Sequence, residues 1–146
     1  YMLYWKKRLA STCDEFLIAT KDGTHGTRGG VQEVIDMLIG RGEHIDQAFI
    51  SGCTFMMMLV CQETARHAIP TMAAMNSIML DGTGMCGACR ITVGGETKFA
   101  CVDGPYVDGL QVDWEELMHR RAAYRVEEIQ ALPDDPDKHE HRCMTI

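Results

Sequence analysis

Asp81-Gly82-Thr83-Gly84-Met85-Cys86-Gly87-Ala88-Cys89, followed by Cys101, is the stretch on which the reading of this 146-residue chain turns. Four residues separate Asp81 from Cys86, two separate Cys86 from Cys89, and eleven separate Cys89 from Cys101. Three thiols and a carboxylate in a segment this rich in glycine point to a chain wrapped tightly around something anionic ligands can hold. Glycines permit the positive φ angles that such wrapping requires. The chain holds seven cysteines, and the other four (Cys13, Cys53, Cys61, Cys143) are dispersed. An odd count at this spacing is not a secreted disulfide scaffold, and a clustered C-x-x-C without a secretory signal reads as metal or redox chemistry in a reducing compartment, the cytoplasm.

The spacing is that of plant-type 2Fe–2S loops, C-x4-C-x2-C…C, with aspartate at the first position. Such a cluster needs four anionic ligands, usually soft thiolates, and amide N–H groups aimed at its sulfurs tune its potential. Three other readings remain open on the residues alone. Zinc accepts the same ligand set, although its structural sites favour Cys or His as the fourth ligand. A thiol–disulfide C-x-x-C pair normally stands at a helix N-terminus, not in a glycine-rich loop with a third cysteine nearby. The cysteines could also be structural residues clustered by chance.

Downstream, Arg90–Val93 and Thr97–Ala100 read as short strands joined by the hairpin signal Gly94-Gly95. A helix is expected over 113–132, broken near Tyr124 and ended by Pro133 and Pro136, with a polar tail after it. Upstream the grammar differs. A helix is expected over 2–12, a strand over Glu15–Ala19, and a polar loop to Gly30. Val31, Val34, Ile35, Leu38 and Ile39 recur at helical spacing, so a helix runs to about Arg41. Gln47–Ile50 reads as a strand, Ser51–Thr54 as a turn with Thr54 as N-cap, Phe55–His67 as a helix and Pro70–Ala74 as a third strand. Alternating strands and helices define an α/β fold with a parallel sheet. The expected organisation is 1–75 as part of a nucleotide-binding α/β domain, 76–112 as a small β-rich cluster module, and 113–146 as a helical segment and tail.

In such sheets ligands bind outside the carboxyl ends of the strands. The loops after Ala19 and Ile50 are those ends, which makes Thr20, Asp22, Gly23, Gly52 and Cys53 the candidates for a nucleotide site. Gly23, Gly26 and Gly29 follow a strand, but G-x-x-G-x-x-G is a weak signal and an ordinary surface loop explains it equally. Met56, Met57 and Met58 read as core. Arg120, Arg121 and Arg125 read as a solvated helix face, and the histidines define no site by their spacing.

Hydrophobic residues make up 46% of the chain and charged residues 24%, which suits a packed domain. A net charge of −7 gives no basic field for a nucleic acid. The longest apolar run, Phe55–Cys61, is far short of the ~20 residues that span a bilayer.

The segment 77–109, SIMLDGTGMCGACRITVGGETKFACVDGPYVDG, is similar to the cluster segment of the small subunit of NADH-dependent reduced ferredoxin:NADP oxidoreductases. That family is also called sulfide dehydrogenase, and it is related to the electron-transfer subunit of dihydroorotate dehydrogenase. Aspartate at the first ligand position favours the former, because four cysteines are usual in the latter. The stretches YMLYWKKRLA, FLIAT, KDGTHGTRGGV and SGCTFMM resemble, in order, the later part of a ferredoxin-reductase NAD(P)-binding domain. The likeness covers roughly residues 1–125. Its turn departs from the reductase pattern, with Ser51-Gly52-Cys53 in place of Cys-Gly-Pro.

The resemblance implies that Asp81, Cys86, Cys89 and Cys101 ligate a 2Fe–2S cluster. It also implies that electrons pass between NAD(P)H, FAD and that cluster to a larger flavin/iron–sulfur partner subunit. Tyr1 stands where an initiator Met would, so the flavin domain and the pyrophosphate-binding loop are expected upstream, and this chain alone is expected to be inactive. Two rivals remain: a dihydroorotate dehydrogenase electron-transfer subunit, and a non-enzymatic ferredoxin-like carrier.

Overall fold

The computed structural model describes residues 4–131. The expected tail, with Pro133, Pro136 and Cys143, and the first residues of the expected N-terminal helix lie outside that range. The upstream half supplies α1 (Lys6–Ala10), β1 (Ala19–Thr20), β2 (Thr27–Arg28), α2 (Val31–Gly40), β3 (Ala48–Ile50), α3 (Thr54–Arg66) and β4 (Thr71–Ala74). The downstream half supplies β5 (Arg90–Val93), β6 (Glu96–Phe99), β7 (Tyr106–Asp108), α4 (Trp114–Arg121) and α5 (Arg125–Ala131).

The α/β reading holds, with β3 and β4 parallel and in register from Ala48↔Thr71 to Ile50↔Ala73. The third strand of their sheet is not the one expected. β7 pairs antiparallel with β4, Ala73 opposite Val107, so a strand from the downstream half completes the upstream sheet. β1 is shorter than the apolar run 16–19 suggests. It pairs with β2, inside the stretch read as loop, rather than joining β3. Strand pairing over such distances depends on packing, which the alternation of residues does not record.

Helix α3 lies on the sheet, where Met57, Val60 and Cys61 are buried with Ile50, Ala73 and Val107. Met57 is fully enclosed and Met56 packs against the core, as read from the sequence, whereas Met58 lines the groove between α3 and α4 instead. The start of α3 differs from expectation: Cys53 occupies the cap position without a side-chain cap bond. Thr54 is already helical and buried, and its hydroxyl donates to Asn76 Oδ1 at 2.9 Å.

The β5–β6 hairpin forms with Val93 opposite Glu96. Gly94 and Gly95 both have positive φ (60° and 80°), as its two-residue turn demands. Asp113 caps α4 by accepting from the Glu116 amide at 2.9 Å, and the helical segment breaks at 122–124 as read from sequence. α1 buries no residue. Among the described residues, no helix is long and apolar enough to cross a membrane.

Candidate cluster-binding site

The loop between β4 and β5 turns on three glycines of positive φ: Gly82 (78°), Gly84 (83°) and Gly87 (69°). At Gly84 a Cβ would also come 2.9 Å from Val102 Cγ2, so both conformation and space select glycine there. These turns fold Asp81 back over its own loop. Its Oδ1 accepts from the Thr83 amide at 2.9 Å and its Oδ2 from the Cys86 amide at 3.0 Å. The Thr83 amide is the main reason the Asp81 carboxyl is held below the usual aspartate range, so it stands ready as an anion.

Strand pairing makes the second contact. β5 begins just after Cys89 and β6 ends just before Cys101, and Arg90 pairs with Phe99. The two sulfurs therefore meet at 3.3 Å, with Cys89 buried and Cys101 half-buried. The Cys101 amide, assisted by that of Ala100, draws the Cys89 thiol below its ordinary value. Cys101 is pushed up, chiefly because it shares a proton with Cys89, while the Gly84 amide pulls it down. Amide N–H groups aimed at sulfur are what a thiolate-bound redox centre requires.

The Cys86 thiol also donates to the Asp81 carboxylate, so the donors fall into two pairs, Asp81 with Cys86 and Cys89 with Cys101. No three of the four lie within 4.8 Å of one another, among the described residues. A single tetrahedral zinc needs all its ligands around one point. Two irons need two pairs, and the sulfurs of Cys89 and Cys101 stand close to the ~3.8 Å edge of a tetrahedral thiolate pair. The donor set therefore fits a two-iron cluster better than one ion.

The nucleotide candidates are not brought together on one sheet edge. Thr20 is the last residue of β1, with Asp22 and Gly23 just after it, while Gly52 and Cys53 follow β3 in another sheet. The polar groups of the first set serve their own loop. Thr20 Oγ1 donates to the His25 carbonyl at 2.9 Å, and Asp22 Oδ1 accepts from the Thr24 amide and hydroxyl. Gly52 and Cys53 stand at the carboxyl end of β3, where the second set was expected.

Sequence reasoning missed two residues at that end. Asn76 Nδ2 donates to the Gly52 carbonyl at 3.0 Å, and Arg121 Nη1 reaches Thr54 Oγ1 and Asn76 Oδ1. Asn76 follows a strand end and could have been found by the rule that picked Gly52. Arg121 comes from 67 residues away, and nothing local distinguished it from Arg120. The groove between α3 and α4, about 460 Å³ and lined by Phe55, Met58, Trp114 and Met118, holds none of the candidate residues.

Comparison with known proteins gives the class first. Residues 76–113 match the family model of the iron–sulfur cluster binding domain of dihydroorotate dehydrogenase B. Over about three quarters of its length the chain is similar to electron-transfer subunits of oxidoreductases. It is 45% identical over 114 residues to the dihydroorotate dehydrogenase B (NAD(+)) electron transfer subunit homolog of Thermotoga maritima, covering 78% of this chain and 40% of that one. It is 40% identical over 143 residues to an uncharacterised protein encoded 3′ of adh in Clostridium beijerinckii, covering 96% of this chain and 48% of the relative. A solved chain of NADH-dependent reduced ferredoxin–NADP oxidoreductase, studied for flavin-based electron bifurcation, superposes with a TM-score of 0.71. It has 43% identity and covers 79% of this chain and 41% of that chain. This chain spans less than half the length of each of these relatives.

Proposed function

We propose that this chain is the cluster-bearing part of an electron-transfer subunit in a flavin- and NAD(P)H-linked oxidoreductase. Asp81, Cys86, Cys89 and Cys101 hold a 2Fe–2S cluster in this reading. The observation that carries it is the paired donor geometry, above all the Cys89–Cys101 approach at 3.3 Å under amide N–H groups, within a segment matching an iron–sulfur domain. When bound, such a cluster carries electrons singly, whereas a hydride delivers two at once. The chain's residues do the rest. Asp81 and the three thiols supply four anionic ligands, the amides of Gly84, Ala100 and Cys101 point at sulfur, and burial of Cys89 keeps water from one side.

NAD(P)H, FAD and a larger partner subunit belong to the whole protein in this reading, with the cytoplasm as its compartment. Relatives named as electron-transfer subunits support the subunit role. Gly52 and Cys53 are the best-placed nucleotide-lining residues, with Thr20, Asp22 and Gly23 as a second, separate group. Since the chain spans less than half of its relatives, it should not oxidise NAD(P)H alone; steady dye reduction by the isolated chain would contradict this. The segments 1–75, 76–112 and 113–146 remain our functional division, although β7 crosses the first boundary to pair with β4.

Anaerobic purification with iron and sulfide assays and a visible spectrum tests the cluster. Two irons and two sulfides per chain are expected. Stoichiometric zinc without visible absorbance, after anaerobic reconstitution, would overturn the reading.

A further inference from the structure

The fold brings one histidine to two carboxylates, all three outside the cysteine loop. His67, at the C-terminal cap of α3, has Nε2 3.2 Å from Glu63 Oε1 and 3.5 Å from Asp36 Oδ1. Glu63 lies one turn earlier on α3, and Asp36 lies on α2, which packs against α3. One donor atom from each lies within 4.8 Å of the other two. We propose that Asp36, Glu63 and His67 form a binding site for a divalent metal of the zinc class, which staples α2 to α3 and is separate from the cysteine loop.

Distances support this first. Nitrogen and oxygen ligands at 2.0–2.1 Å from a tetrahedral ion stand about 3.4 Å apart. The two contacts at 3.2 and 3.5 Å bracket that edge. Convergence on one atom supports it second. A single Nε2 carries either one proton or one lone pair. One N–H can point well at only one of the two carboxylates, leaving the other facing like charge. A cation at the centre takes a lone pair from all three.

The donor chemistry is imidazole and carboxylate, which suits zinc and not the soft metals that prefer thiolate. Glu63 is also prepared as a ligand. Its side chain is 9% exposed, and Arg66 Nη1 holds Oε2 at 2.6 Å, which leaves Oε1 for the ion. Ligating carboxylates characteristically have such an outer partner. The Asp36 and His67 side chains, 57% and 32% exposed, leave a path for entry and room for water as the fourth ligand.

Zinc titration of the full chain, freed of metal by chelation, tests the site by calorimetry and X-ray absorption. Wild type should take up one more equivalent than Asp36→Asn or His67→Gln. That equivalent should show only nitrogen and oxygen neighbours at about 2.0–2.1 Å. Either substitution should weaken it at least about tenfold, the size that loss of even an outer partner causes. Zinc captured by the cysteine loop would show sulfur at about 2.3 Å and survive both substitutions, so the outcome does not depend on the cluster reading. Equal zinc uptake and equal coordination shells in all three proteins would overturn the proposal, as would wild-type zinc bound only through sulfur. Metal-free unfolding midpoints check that each variant folds. If one does not, the other decides.

Discussion

Asn76 donates from Nδ2 to the carbonyl oxygen of Gly52 at 3.0 Å, so the first residue of the segment that matches the iron–sulfur domain model is tied to the turn that follows β3. The same side chain accepts from Thr54 through Oδ1, and Arg121 closes the network from α4. Asn76→Ala leaves a carbonyl and a buried hydroxyl short of partners. It should cost roughly 1–3 kcal/mol, the usual penalty for such groups. Arg121→Ala leaves the Thr54–Asn76 bond intact and should cost less. Urea unfolding of the two variants ranks them, and a larger loss for Arg121→Ala would contradict the hydrogen-bond assignment.

Two glycines of the same loop separate conformation from space. Gly82 and Gly84 both have positive φ, but only Gly84 has a neighbour, Val102, where a Cβ would go. Gly82→Ala should carry only the left-handed cost of roughly 1–2 kcal/mol. Gly84→Ala should exceed it, and it should lower iron content after reconstitution because the Gly84 amide faces Cys101. Equal stability and equal iron in the two variants would sink this distinction.

Asp81 offers hard oxygen where its three companions offer soft sulfur. Asp81→Cys restores the full plant-type spacing and should retain two irons. Because a carboxylate takes up a proton more readily than a bound thiolate, this variant should also weaken the dependence of reduction potential on pH. Asp81→Ala should lose iron. Redox titration across pH with metal analysis checks all three proteins; identical behaviour would remove Asp81 from the ligand set.

Cys61 is buried against Gly109, just after β7, and burial pushes its thiol up to about 12. The folded chain should leave Cys61 unalkylated at pH 8.5, about the ordinary thiol pKa, while exposed Cys13 and Cys53 react. The linkage has a definite sign. Between the ordinary value of 9.0 and about 12, the unfolded chain loses the proton that the folded chain keeps. Stability should therefore fall as pH rises through that window, and Cys61→Ala should flatten the fall. Mass-spectrometric mapping of labelled cysteines and unfolding curves at pH 8 to 10.5 provide the measurements.

The sequence by itself determined what is local. The spacing of Asp81, Cys86 and Cys89, the glycines that turn that loop, the Gly94-Gly95 hairpin, and helices α2 and α3 are set by residues within a few positions of one another. Short-range sterics and side-chain periodicity are written directly into such stretches. The tertiary structure decided what long-range packing arbitrates. It gave β4 an antiparallel partner in β7, kept β1 out of that sheet, and turned Thr54 from a cap into a buried member of a network with Asn76 and Arg121. It also set His67 against Asp36 and Glu63. Each of these depends on which surfaces bury one another. That choice is made by the summed packing of the core, and no spacing along the chain encodes it.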